Sequence, residues 1–104
     1  MAQTPEVKVK HAVRTILDEH GVYYFCPPAN GYGRQGIPDI ICCLDGHFIA
    51  IECKAGKGVT TVLQEREIAK IRKAHGTAWV INETNVGQLK EWLMKIEDLY
   101  AQKL

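Results

Sequence analysis

The chain has 104 residues, 46% hydrophobic and 24% charged, a composition that fits one folded domain with its own core and excludes a disordered chain. Thirteen Lys and Arg residues against twelve acids leave a net charge of +1, which excludes a general polycation but not a local basic patch. No apolar run approaches the roughly 18 residues of a membrane span, and Glu6, Lys8, Lys10 and His11 stand where a signal peptide carries its apolar stretch, so an intracellular, cytoplasmic protein with no membrane partner is expected.

Thr4-Pro5-Glu6 reads as an N-cap, a first-turn proline and a carboxylate facing the helix dipole. Apolar residues at Val9, Ala12, Val13, Ile16 and Leu17 then form a stripe of period 3.6 that stops at Gly21. Val22 to Cys26 is a short strand, closed by Pro27-Pro28, and the segment from there to Gly36 is loop with a single arginine, Arg34. Ile37 to Leu44 and His47 to Cys53 are two strand-like runs joined by Asp45-Gly46, a strong hairpin signal. Thr60 or Thr61 opens a second helix with Leu63, Ile68, Ala69 and Ile71 inside and Gly76 at its end. Thr77 to Ile81 is a strand, and Asn85 to about Gln102 is a third helix with a stripe of Val86, Leu89, Trp92, Leu93, Ile96, Leu99 and Tyr100. The order α-β-β-β-α-β-α predicts an α/β fold, with a mixed β-sheet flanked by helices and one domain spanning 1–104. The apolar strands suit a sheet covered on both faces.

The hairpin brings two acids together. With Asp45-Gly46 as a two-residue turn, Leu44 faces His47, and stepping back along both strands puts Asp39 opposite Glu52 and Ile37 opposite Lys54. Opposed Cβ atoms in such a pair are roughly 4.5–5.5 Å apart, where like charges repel. Two acids at such a place share a proton, hold a cation, or lie solvated at a frayed strand end. Lys54, two residues beyond Glu52, leaves the same sheet face, either as a salt-bridge partner or as a group that orients water and neutralises charge at a phosphorus centre. Glu6 continues the stripe of helix one, and Gln64 that of helix two. The structural alternatives are a dipole-facing acid and a capping box from Thr61 to Gln64.

Cys26, Cys42, Cys43 and Cys53 show no CxxC spacing, so a zinc or redox module is disfavoured and small buried thiols are expected. Cys53 projects opposite to Glu52 and Lys54, toward the core. Gly56-Lys57-Gly58 fails the phosphate-loop pattern because a glycine follows the lysine. His11, His20, His47 and His75 are scattered, as surface or turn residues are.

Pro38-Asp39, a twelve-residue interval and Glu52-Cys53-Lys54 resemble the PD-(D/E)xK nuclease signature. The longer string GIPDIICCLDGHFIAIECKAGKGVTTVLQ is similar to the VRR-NUC (virus-type replication-repair nuclease) family within that superfamily. The resemblance implies a restriction-endonuclease-like core and hydrolysis of phosphodiester bonds dependent on Mg²⁺ or Mn²⁺. Asp39 and Glu52 would bind the metal with the backbone carbonyl of Cys53, and Lys54 would position or activate the attacking water. Gln64 matches the family's glutamine and Glu6 its first-helix acid, which contacts metal directly or through water. Cysteine at 53 departs from the usual aliphatic residue but leaves the carbonyl in place. Small stand-alone members resemble phage and bacterial homodimers acting on branched DNA, notably four-way junctions. The apolar last helix would offer a dimer face, unless its stripe packs on the chain's own sheet. Arg34, Lys57, Lys8, Lys10 and Arg14 are candidates for DNA backbone contacts, with Arg72 and Lys73 also available. The alternatives are a nuclease preferring flaps or single strands, or a DNA-binding module that has lost catalysis.

Overall fold

The computed structural model describes residues 3–28 and 33–103, so residues 29–32 of the expected loop lie outside the described residues. Helix α1 (Pro5–Glu19) begins where expected: the Thr4 hydroxyl accepts the Val7 N–H at 3.2 Å, and Pro5 occupies the first turn, where its missing N–H is not needed. Val9, Val13 and Leu17 of α1 are buried. Strands β1 (Tyr23–Phe25), β2 (Ile40–Leu44) and β3 (His47–Cys53) follow, then α2 (Val62–Lys73), β4 (Thr77–Ile81) and α3 (Val86–Lys103). The sheet order is β1-β2-β3-β4, antiparallel except for β3 with β4, which run parallel around α2.

Strand parity sorts the core. Tyr24, Cys42, Ile49, Ile51, Cys53, Trp79 and Ile81 share one face and pack with α1 and with Leu89 and Leu93 of α3. Trp79 meets Trp92 of α3 edge-on, with ring centroids 5.8 Å apart. The opposite face carries Ala50, Glu52 and Ala78 under α2, whose Ile68 is buried. Tyr23, Phe25, Cys43 and Phe48 lie on that same face and are exposed. No described helix is long and apolar enough to cross a membrane.

Several expectations need correction. Strand β2 starts at Ile40, not Ile37: Pro38 has no N–H for the ladder, and Asp39 bonds through its side chain instead. In α2, Leu63 and Ala69 are exposed, while Glu67 and Ile68 are the buried residues. In α3 the stripe is buried at Leu89 and Leu93 but emerges at Leu99 and Tyr100, where the helix runs beyond the core. Glu6 is exposed, since the buried part of α1's stripe begins one turn later at Val9. Of the cysteines only Cys42 and Cys53 are buried; Cys26 lies past the end of β1, and Cys43 is on the face that α2 leaves open. His20 is a turn residue, as expected: it ends α1 and also joins α3 through a 2.9 Å contact of Nδ1 with Glu97 Oε1.

Candidate active site

The site forms at the end of the hairpin. Asp45 and Gly46 both have positive φ (51° and 84°), the conformation of a two-residue turn that follows the twist of its strands. That turn fixes the register, with Leu44 opposite His47 and the ladder running back to Ile40 opposite Ile51. One step further, Asp39 no longer pairs through its backbone. Its Oδ2 accepts the Cys53 N–H at 2.8 Å, so the carboxylate itself closes the ladder. The other oxygen, Oδ1, lies 3.6 Å from Lys10 Nζ on α1.

Glu52 is 3% exposed, under the start of α2. Its Oε2 accepts from Gln64 Nε2 at 3.1 Å and lies 3.7 Å from Lys54 Nζ, whereas its buried Oε1 has no hydrogen-bond partner among the described residues. Burial is the main reason its carboxyl is pushed up to about 8. The nearby charge of Asp39 adds to the rise, Lys54 opposes it, and Glu6 adds a little. Without a cation, therefore, Glu52 favours its protonated form beside Asp39. The Cys53 thiol, also buried, is pushed up to about 12 and stays protonated in the core.

Gln64 serves two groups at once. Its Oε1 accepts the Thr61 N–H at 2.8 Å while the Thr61 hydroxyl accepts the Gln64 N–H at 3.2 Å, a complete capping box, and its amide nitrogen touches Glu52. The two readings of this residue are compatible because they use different atoms. Gly36 sets the neighbouring loop close to the same turn: at φ +84°, a Cβ there would stand 2.4 Å from the Leu63 carbonyl oxygen.

The model of the archaeal Holliday junction resolvase family matches residues 7–101. The chain belongs to that family. Among solved structures, a VRR-NUC domain superposes with a TM-score of 0.73 at 22% identity, over 86% of this chain and 97% of that one, and so shares its fold. No curated protein gives a match. As a member of a PD-(D/E)xK nuclease family, the resolvase relative has the topology expected from its sequence.

Within this resolvase-family chain, the structure brings together Asp39, Glu52, Lys54 and Gln64, with Lys10 and Glu6 overlooking them from α1. Glu6 lies just outside the segment that the family matches. Lys10, expected only as a DNA contact, is in fact an ion-pair partner of Asp39; it stands four residues after Glu6, on the same side of the helix. Arg34 is bound to Glu67, Lys57 is exposed in the turn after β3, and Arg14 lies beside Tyr24 and Asp18, which favour its charged form. Lys8 lines an apolar cavity of about 330 Å³ with Pro5, Val9, Ala12, Glu83 and Val86, and the paired acids are not among its walls. Sequence reasoning missed Glu67, although it lies four residues after Leu63 and four before Ile71 and so falls on the helix side read as buried.

No group of three His, Cys, Asp or Glu side chains among the described residues converges as a metal cage. Mg²⁺ and Mn²⁺ need no such cage, being held by one or two carboxylates with water and phosphate oxygens. The paired acids, and Glu52 Oε1 with no donor among the described residues, fit such an ion, because a buried carboxylate oxygen without a donor requires a counter-group.

Proposed function

We propose that the chain is a metal-dependent, structure-selective endodeoxyribonuclease that cuts four-way DNA junctions as a homodimer, with 1–104 working as one domain inside the cell. The observation that carries this reading is buried Glu52, set against Asp39 with one oxygen unpartnered among the described residues. Asp39, Glu52 and the carbonyl of Cys53 would hold Mg²⁺ or Mn²⁺, with Glu6 near enough to act through water. The ion, when bound, supplies Lewis-acid polarisation of a phosphoryl oxygen.

The chain's own residues do the rest. The Cys53 N–H fixes Asp39, and Gln64 Nε2 fixes Glu52, so both carboxylates keep their positions as charge builds up at phosphorus. Lys54, with its side chain only 14% exposed, offers an ammonium beside Glu52 that orients the attacking water and neutralises charge on the phosphoryl oxygens. Hydrolysis joins the water oxygen to phosphorus, breaks one P–O bond to sugar and leaves a proton on the departing oxygen. Lys10, Lys8, Arg14, Arg34 and Lys57 are the candidates for holding the strands. A two-fold junction requiring two cuts suits two identical sites.

The test is cleavage of a labelled synthetic four-way junction with Mg²⁺ or Mn²⁺, alongside flap and single-stranded substrates. Paired incisions at the branch are expected, lost in Asp39→Ala, Glu52→Ala and Lys54→Ala. Full activity in excess chelator would overturn the metal-dependent reading. Preference for flaps or single strands would move the substrate, and junction binding without cleavage would mark an inactive binding module.

A further inference from the structure

Glu67 is an acid that the reaction above does not use. It is 5% exposed, on the second turn of α2, yet its Oε1 accepts the Arg34 Nε–H at 2.7 Å. A buried carboxylate without a cation would be strongly unfavourable, so this contact explains how Glu67 is tolerated. It does not explain why the pair is there, since an apolar residue at 67 would serve the packing of α2 at least as well.

The geometry of Arg34 supplies a reason. The side chain is 72% exposed even though its Nε is bound, so the guanidinium is tethered by its inner edge while much of it faces solvent. Gly36, two residues on, lies against the backbone of Leu63 and Gln64, which fixes the loop carrying Arg34 to α2 a second time. Gln64, one turn before Glu67 and roughly 5 Å along the axis, touches Glu52. The tethered guanidinium is therefore held to the helix that also positions a site carboxylate.

We propose that Glu67 is a positioning residue that clamps Arg34, so that the outer edge of the guanidinium receives a DNA phosphate beside the Asp39–Glu52 pair. A guanidinium is suited to this because its fork can give one edge to a carboxylate and another to phosphate oxygens. An untethered arginine would have to lose its side-chain freedom on binding; the clamp removes that loss beforehand. This inference rests on the nuclease reading and adds to it how one phosphate contact is built.

Simple electrostatics and the clamp predict opposite signs, which makes the test decisive. Removing a negative charge near DNA should tighten binding, whereas removing a clamp should weaken it. Binding of the full chain to a synthetic four-way junction is measured in Ca²⁺ across a KCl series. Arg34→Ala should weaken binding on the order of tenfold, the size of one charge-assisted contact, and lower the salt slope by about one. Glu67→Ala should also weaken binding while keeping the wild-type slope, and Glu67→Gln, which retains an acceptor, should fall in between. In the Arg34→Ala background neither change at 67 should weaken binding further. Melting curves identify any variant that fails to fold, in which case Glu67→Gln carries the comparison. Wild-type or tighter binding by the folded Glu67 variants overturns the clamp, as does an Arg34→Ala protein with unchanged affinity and slope. A wild-type chain that does not bind the junction would instead overturn the functional reading itself.

Discussion

At Glu52, fold stability pulls against the proposed chemistry. The folded chain raises this carboxyl from 4.5 to about 8, first by burial and then through Asp39. Around it stand Asp39 just before β2, Lys54 just after β3, Glu6 and Lys10 on α1, and the neutral Gln64 on α2. Between about 4.5 and about 8 the folded state holds a proton that the unfolded state has lost, so this residue's contribution to stability is fully present below 4.5 and falls as pH rises through 8. The expected result is a melting temperature, measured in chelator, that drops from pH 5 to pH 8 in the wild type and drops less in Glu52→Gln. Adding Mg²⁺ or Mn²⁺ at pH 8 should restore the wild type and not the variant, because a cation binds the ionised pair. Identical pH profiles for the two proteins would mean that Glu52 is not the buried, acid-facing carboxyl described. A stabilised glutamine variant without activity would be the mark of a residue kept for chemistry at the expense of the fold.

At the level of elements, the start of α2 joins a structural device to the candidate site. Thr61→Ala removes the hydroxyl cap but leaves Gln64 free to reach Glu52, and should cost about 1 kcal/mol in chemical denaturation with cleavage largely kept. Gln64→Ala removes both the return bond of the box and the contact to Glu52, and should slow cleavage on the order of a hundredfold at a similar loss of stability. Equal cleavage by the two variants would reduce Gln64 to a cap. The capping box was legible because its residues are adjacent in sequence, as was the hairpin, whose Asp-Gly turn fixes register through backbone conformation alone. Parity then located Glu52 and Lys54 correctly on one face. What was not legible depended on contacts between distant segments. Propensity places the start of β2 too early because Asp39 satisfies the Cys53 N–H with a side chain, which no propensity encodes. Glu67 is not legible in the sequence because an acid on a buried stripe makes sense only with Arg34, 33 residues earlier, lying against it. Lys10 was read by its charge, and its pairing with Asp39 depends on how α1 crosses the end of the sheet.

Over the whole molecule, a homodimer of the proposed kind has two candidate pairing surfaces, the last helix and the outer half of the sheet. The stripe of α3 is largely accounted for by the core, with Leu89 and Leu93 fully buried and only Leu99 and Tyr100 emerging near the helix end. The sheet offers more. Because α2 covers β3 and β4, the outer half of that face is left open, and register lines up Tyr23 with Cys43 and Cys43 with Phe48, beside Phe25 with Ile41. A row of exposed aromatic and apolar side chains on an edge strand is a surface that monomers seldom leave open. Two copies joined there would place two Asp39–Glu52 pairs about one dyad, an arrangement that suits the proposed symmetric cutting of a four-way junction. Tyr23→Glu with Phe25→Glu should therefore give a folded monomer by light scattering that still binds Mn²⁺ but makes single nicks in place of paired cuts. In a homodimer of the proposed kind, Leu99→Glu should leave the copies joined. If the opposite pattern appears, with the α3 change separating the copies and the β1 changes leaving them joined, the pairing surface returns to the last helix. If neither change alters a dimer, the contact lies on a third surface. If the wild type is itself a monomer that makes paired cuts, the two incisions come from successive visits by one site, and the symmetry of the junction is matched in time instead of in space.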